Sequence, residues 1–115
     1  MLSVEKIAEV CHEANRALQL VLCESASAHW PECSKEMQSS VRTGVTAYLA
    51  NPNITPEDLH EKWCLHKWER GWQRGETKSE ANKTHPNLVS YDQLPREQRL
   101  KDALFRNVIA ALVHT

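Results

Sequence analysis

The chain has 115 residues, 41% of them hydrophobic and 25% charged, with a formal net charge of −1. That length holds one domain at most, and it suffices for a buried core without disulfide or metal staples. The near-neutral balance excludes a global electrostatic pull toward nucleic acid or an anionic surface, and no apolar run approaches the roughly 18 residues of a membrane span.

The four cysteines, Cys11, Cys23, Cys33 and Cys64, form no C-x-x-C pair. Met1 leads straight into an amphipathic helix carrying Glu5, Lys6 and Glu9, which is not the pattern of a secretory leader. Reduced thiols and a cytoplasmic setting are the expectation. A zinc site drawing on Cys11, His12 or Cys64 with His60 or His66 lacks closely paired ligands, so neither a metal nor a cofactor is expected.

Ser3 caps a first helix over about residues 3–22. Val4, Ile7, Ala8, Cys11, Ala14, Leu18 and Val21 recur at intervals of three and four and make its apolar stripe. His12, Asn15, Arg16 and Gln19 lie on a polar shoulder beside that stripe. They read either as a solvated face or as one wall of a ligand site. Residues 23–33 keep no steady period, and the Trp30-Pro31 step favours a loop in which Trp30 plugs the core.

Ser34 caps a second helix over about 35–50, with Met37, Val41, Val45, Tyr48 and Leu49 as its stripe. Gly44 inside it costs on the order of 1 kcal/mol against alanine, which a close helix crossing would explain. Asn51-Pro52-Asn53 breaks the chain. Thr55-Pro56-Glu57-Asp58 then starts a third helix, about 56–69, with a capping hydroxyl, proline at the first position and acids in the first turn. Arg70-Gly71 ends it.

Residues 71–94 form a long loop, and loops of that length in compact proteins are functional or disordered. Trp72 and Tyr91 argue for order, because both rings need burial. A fourth helix over about 95–113 follows Pro95, with the most apolar stripe in the chain: Leu100, Leu104, Phe105, Val108, Ile109, Leu112 and Val113. The expected fold is mainly α: four helices, with an ordered loop between the third and fourth.

Several stretches resemble the ryanodine-receptor-type repeat, the RyR domain. They are His60-Glu61-x-Trp63, Gly71-Trp72-x-x-Gly75, Lys83-x-His85-Pro86-x-Leu88-Val89-x-Tyr91-x-x-Leu94-Pro95 and Lys101-Asp102. The likeness spans about residues 55–113, with a helical pair at 3–50 ahead of it. Cys11-His12-Glu13-x-Asn15-Arg16-Ala17 and Ser40-Val41-x-x-Gly44-Val45 resemble the N-terminal part of the small single-copy bacteriophage form. The resemblance implies a mainly helical fold with a long ordered loop, with room in it for a short hairpin. It also implies capture of nucleotide-derived molecules, and it implies no ion conduction. Arg74, Ser90 and Ala103 depart from the family's usual aromatic, proline and arginine.

Chemically, a flat indole flanked by basic groups suits a nucleotide, since base–aromatic stacking contributes roughly 1–3 kcal/mol per base. Trp72 is the expected platform, and Tyr91 is also among the expected ligand-binding residues. Arg74, Lys83 and His85 are the expected phosphate contacts, and Asn15, Arg16 and Glu61 the groups that read a base edge or ribose hydroxyl. Against this stands a structural role for the same residues, which would knit the loop to the helices. There is no Gly-rich phosphate loop, nucleophile elbow or His-Glu-x-x-His motif, so catalysis is not expected. The expected function is non-enzymatic binding of a nucleotide or ADP-ribose-like molecule, with no sequence-specific nucleic acid and no membrane partner. In a phage-encoded protein this would sequester a host defence signal. The alternative is a module that binds a host or virion protein, and a homo-oligomer burying the flank of the last helix fits either case.

Overall fold

A computed structural model describes residues 1–114. Helices α1 (Val4–Val21), α2 (Lys35–Ala50), α3 (Pro56–Glu69) and α4 (Arg96–Leu112) account for most of the chain. Three of the four begin where side chains satisfy orphan amides. Ser3 accepts from the Lys6 N–H at 3.1 Å and Ser34 from the Met37 N–H at 3.1 Å. Thr55 and Asp58 exchange hydrogen bonds in a full capping box. Each such cap stabilises its helix by about 1 kcal/mol.

Two helices end in the same motif. After α3 the Gly71 N–H bonds Trp68 O and the Trp72 N–H bonds Lys67 O, with Gly71 at φ +87°. After α1 the Cys23 N–H bonds Leu20 O and the Glu24 N–H bonds Gln19 O, with Cys23 itself at φ +60°. Both are Schellman closures, and the first turns the chain sharply so that Trp72 drops onto α3.

The four helices enclose one core of Ile7, Ala8, Cys11, Val45, Tyr48, Ile54, Leu59 and Ile109, plugged by Trp30. The Trp30 indole donates to Glu5 at 2.9 Å and its backbone N–H to Glu13 at 2.9 Å, so the plug is fixed by two carboxylates of α1. The α2–α4 approach is close at Gly44: a Cβ there would stand 2.8 Å from two ring carbons of Phe105. That contact is why glycine is kept inside α2.

A second, smaller core of Cys64, Trp72 and Leu88 with Trp63 pins the long loop to α3. The short hairpin for which this loop has room is reduced to a single antiparallel bridge. Strands β1 (Gln73–Arg74) and β2 (Thr84–His85) pair in parallel, Gln73 with Thr84 and Arg74 with His85. An antiparallel bridge between Ser79 and Thr84 folds the intervening turn back beneath them. Gly75 permits this, since a Cβ there would lie 2.7 Å from the Thr84 Cβ. Short 3₁₀ turns at Trp30–Glu32 and Tyr91–Gln93 lead into α2 and α4. No helix is long and apolar enough to cross a membrane among the described residues.

Candidate ligand-binding cavity

A cavity of about 350 Å³ opens between the four helices and the two long connections. Met37, Val41, Leu59, Leu104 and Phe105 form its apolar wall. Asn15 and Gln19 of α1, Ser40 of α2, and Gln98 and Asp102 of α4 supply polar groups. His60 and Trp63 of α3, with His85 and Asn87 of the loop, complete the lining, and Lys78 and Lys101 stand among it as cations.

Three of the polar residues are joined by one chain of hydrogen bonds. The Asn87 side-chain amide donates to Gln98 Oε1 at 3.1 Å, and the Gln98 amide donates to Asp102 Oδ1 at 3.0 Å. Among the described residues, Asp102 Oδ2 is buried with no partner, as is Ser40 Oγ. Burial pushes the Asp102 carboxyl above the ordinary carboxylate range, against the Gln98 hydrogen bond and the His60 and Lys101 charges.

The ring groups are held from behind. His60 Nε2 donates to Val89 O at 2.7 Å; a carbonyl only accepts, so that nitrogen carries the proton. Trp63 stacks on His60 at 5.6 Å and meets the His85 ring edge-on at 4.9 Å. His85 Nδ1 accepts the Asn87 N–H at 3.1 Å, which leaves the proton of the neutral ring on Nε2. Burial first, then the charges of Lys78, Lys67 and His60, push His85 down to about 4. At neutral pH it is an uncharged donor, not the cationic phosphate contact its sequence setting suggests.

Of the eight residues singled out from the sequence, Asn15 and His85 line the cavity. The Asn15 amide has no protein partner among the described residues. Arg16 is turned away: its Nε donates to Ser27 O at 2.7 Å and its guanidinium pairs with Glu13 at 3.0 Å, bracing the 23–33 segment. Glu61 is exposed on another side of α3, beside a shallow depression with Asn51, Ile54 and Asp58. Arg74 is exposed on β1. Lys83 is also exposed and donates to Arg70 O at 2.9 Å, closing the end of α3. Tyr91 sits behind His60, 6.1 Å between ring centroids.

Trp72 is 3% exposed and is no open platform. The Lys67 ammonium lies 4.2 Å above its ring, and that lysine is itself buried and paired with Glu36 at 3.3 Å. The sequence reading missed Ser40, His60, Trp63, Asn87, Gln98 and Asp102 as cavity residues. A signal existed for three of them. Ser40 interrupts the apolar stripe of α2, and Gln98 and Asp102 stand one turn apart beside the stripe of α4.

The fold and cavity define a small, mainly helical module with a ligand-sized space between its helices. Residues 48–114 match the RyR domain, and the chain belongs to the RyR-domain family. The matched segment takes in the end of α2, then α3, the loop and α4. The residues ahead of it supply Asn15, Gln19, Ser40 and Gly44, so the cavity is completed by a part of the chain outside the match.

Proposed function

We propose that this protein is a non-enzymatic binding protein that captures a nucleotide or ADP-ribose-like molecule between its four helices. The observation that carries the reading is the cavity of about 350 Å³ that combines an apolar wall with amide, imidazole and lysine groups. Ligand sites run from about 300 to 1,000 Å³ and have this makeup. The volume suits a nucleoside monophosphate, with any longer phosphate tail running out past Lys78. That lysine has no protein partner among the described residues, whereas Lys101 is paired with Glu24.

Absence of turnover is favoured by the inert state of the thiols beside the cavity. Burial pushes Cys11 up to about 12 and Cys64 up to about 11, so neither is a thiolate at neutral pH, although Cys64 Sγ lies 3.4 Å from His60 Nε2. The same reading extends to a small bacteriophage protein acting in the host cytoplasm, where it sequesters a nucleotide signal. Sequestration works by mass action and needs tight binding and many copies rather than catalysis.

A thermal-shift screen against ATP, NAD, ADP-ribose, cyclic ADP-ribose isomers and cyclic oligonucleotides tests this. A ligand at about a hundred times its dissociation constant stabilises the fold by roughly 2.7 kcal/mol, a rise of several degrees. No shift with any class, together with a protein-like 260/280 nm absorbance ratio of the purified protein, overturns it. A second reading, a protein-binding module with no small ligand, is favoured by Leu65 and Trp68 of α3, each 53% exposed.

A further inference from the structure

We infer that the polar end of the cavity selects ligands carrying a free vicinal diol of ribose type, with Asp102 as the reader and Ser40 and Asn15 beside it; this rests on the nucleotide reading above. The three residues come from three helices and line one cavity. The Cys11 thiol contacts Phe105 O, and Phe105 packs on Gly44, which sets one layer across α1, α4 and α2. Asn15, Asp102 and Ser40 each lie one helical turn from that layer, and all three line the cavity.

Each of the three has unused hydrogen-bonding capacity. Ser40 is 8% exposed with its Oγ unpartnered. Asp102 Oδ2 is unpartnered while Gln98 fixes the other oxygen, so the orientation of the free one is set in advance. Four side-chain atoms are buried without a partner among the described residues, and the two that belong to cavity-lining residues, Ser40 Oγ and Asp102 Oδ2, suit groups supplied by a ligand. A carboxylate oxygen only accepts, so the ligand brings a donor to Asp102.

The donor is not cationic, because Lys78, which has no ion pair among the described residues, lines the same space. It is also not the flat edge of a base held in a stack. One face of Trp63 is covered by His60, its edge meets His85, and the Lys67 ammonium lies 6.0 Å from its centroid. No flat slot remains there. Neighbouring hydroxyls on a puckered ring meet an acceptor and two adaptable groups spread over three helices, with Phe105 and Leu104 against the ring's carbon face.

The test is calorimetric titration of the whole protein with AMP and ADP-ribose and with their 2′-deoxy counterparts. The parent should prefer the ribo forms by about ten-fold or more, because a site built around a hydroxyl leaves its own buried groups unpaired when it is missing. Asp102→Asn should lose that preference, falling to the deoxy affinity for both forms, with an unchanged circular dichroism spectrum. Ser40→Ala should reduce the preference in part and serves if the first variant does not fold. Equal parent affinity for ribo and deoxy forms overturns the inference while leaving the binding reading intact, and so does an undiminished preference in Asp102→Asn. Binding of no nucleotide by the parent overturns the binding reading, and this inference with it.

Discussion

Replacing Trp72 separates packing from recognition. The indole is buried against Cys64 and Leu88, with the Lys67 ammonium 4.2 Å from its centroid. A buried aromatic of this size removes about 200 Å² from water, which at roughly 25 cal/mol per Å² is worth about 5 kcal/mol. Measured truncations of buried Phe or Trp to Ala cost about 3–5 kcal/mol, so about 4 kcal/mol is expected for Trp72→Ala. That is a large share of the roughly 5–15 kcal/mol holding a domain of this size, and at about 4 °C per kcal/mol it lowers Tm by about 15 °C. Trp72→Phe keeps most of the ring and removes an indole N–H that is buried without a partner, so its loss should be only about 1–2 kcal/mol. Urea unfolding followed by far-UV circular dichroism measures both without relying on the deleted fluorophore. A Trp72→Ala loss under about 1 kcal/mol, coupled with weakened nucleotide binding, would refute the packing argument and return the ring to the role its sequence setting suggested.

Acid should weaken the fold through His85. Its folded value of about 4 lies below the ordinary 6.5, so the folded state binds fewer protons than the unfolded chain in between. Its contribution is complete above pH 6.5 and is lost as pH falls toward 4, a loss that His85→Gln should remove from the urea midpoint. Asp102 has the opposite sign: its raised carboxyl favours the folded state at low pH, and that support disappears as pH rises through the raised value. Asp102→Asn should therefore raise the midpoint at pH 7–8 and leave it unchanged below the ordinary 3.8, the reverse of what loss of a stabilising ion pair would give. Gly44→Ala forces the Phe105 ring away from its 2.8 Å approach, at a cost of about 1–3 kcal/mol against a gain of about 1 kcal/mol in helix propensity. The ring's free side is the cavity, so nucleotide affinity should fall as well, and an unchanged affinity in calorimetry would place the ring elsewhere.

The helices were legible because their signals are local. Ser3, Ser34 and Thr55 cap as their positions suggest, the stripes of α1, α2 and α4 face the core except at their ends Val21 and Leu100, which are exposed, and Gly44 marks the helix crossing. The cavity was not legible, because it is made by distance. Asn15, Ser40, His85 and Asp102 are far apart in the chain, and only packing brings them to one space. The loop also misleads for a physical reason. Interleaved aromatic and basic residues look the same whether they await a ligand or satisfy one another. Here Lys67 lies over Trp72, Lys83 holds the Arg70 carbonyl and Arg16 holds the Ser27 carbonyl.

That internal use of the loop's aromatics relocates the question of specificity. The RyR-matched segment, residues 48–114, brings His60, Trp63, His85, Asn87, Gln98 and Asp102 to the cavity. Those rings are already stacked on one another, and the amides are already bonded in line to Asp102. The groups with spare capacity are Lys78 and Asp102 Oδ2 within the match, and Ser40 Oγ and the Asn15 amide on the helices ahead of it. A chain that kept the matched segment and changed α1 and α2 would keep the frame of the cavity and lose Asn15 and Ser40, half of the groups that can still bond to a ligand. On the proposed binding function, ligand choice depends on the pairing of the family segment with its N-terminal helices, and substitutions at Asn15 and Ser40 should change which ligand binds more than they change whether the fold forms.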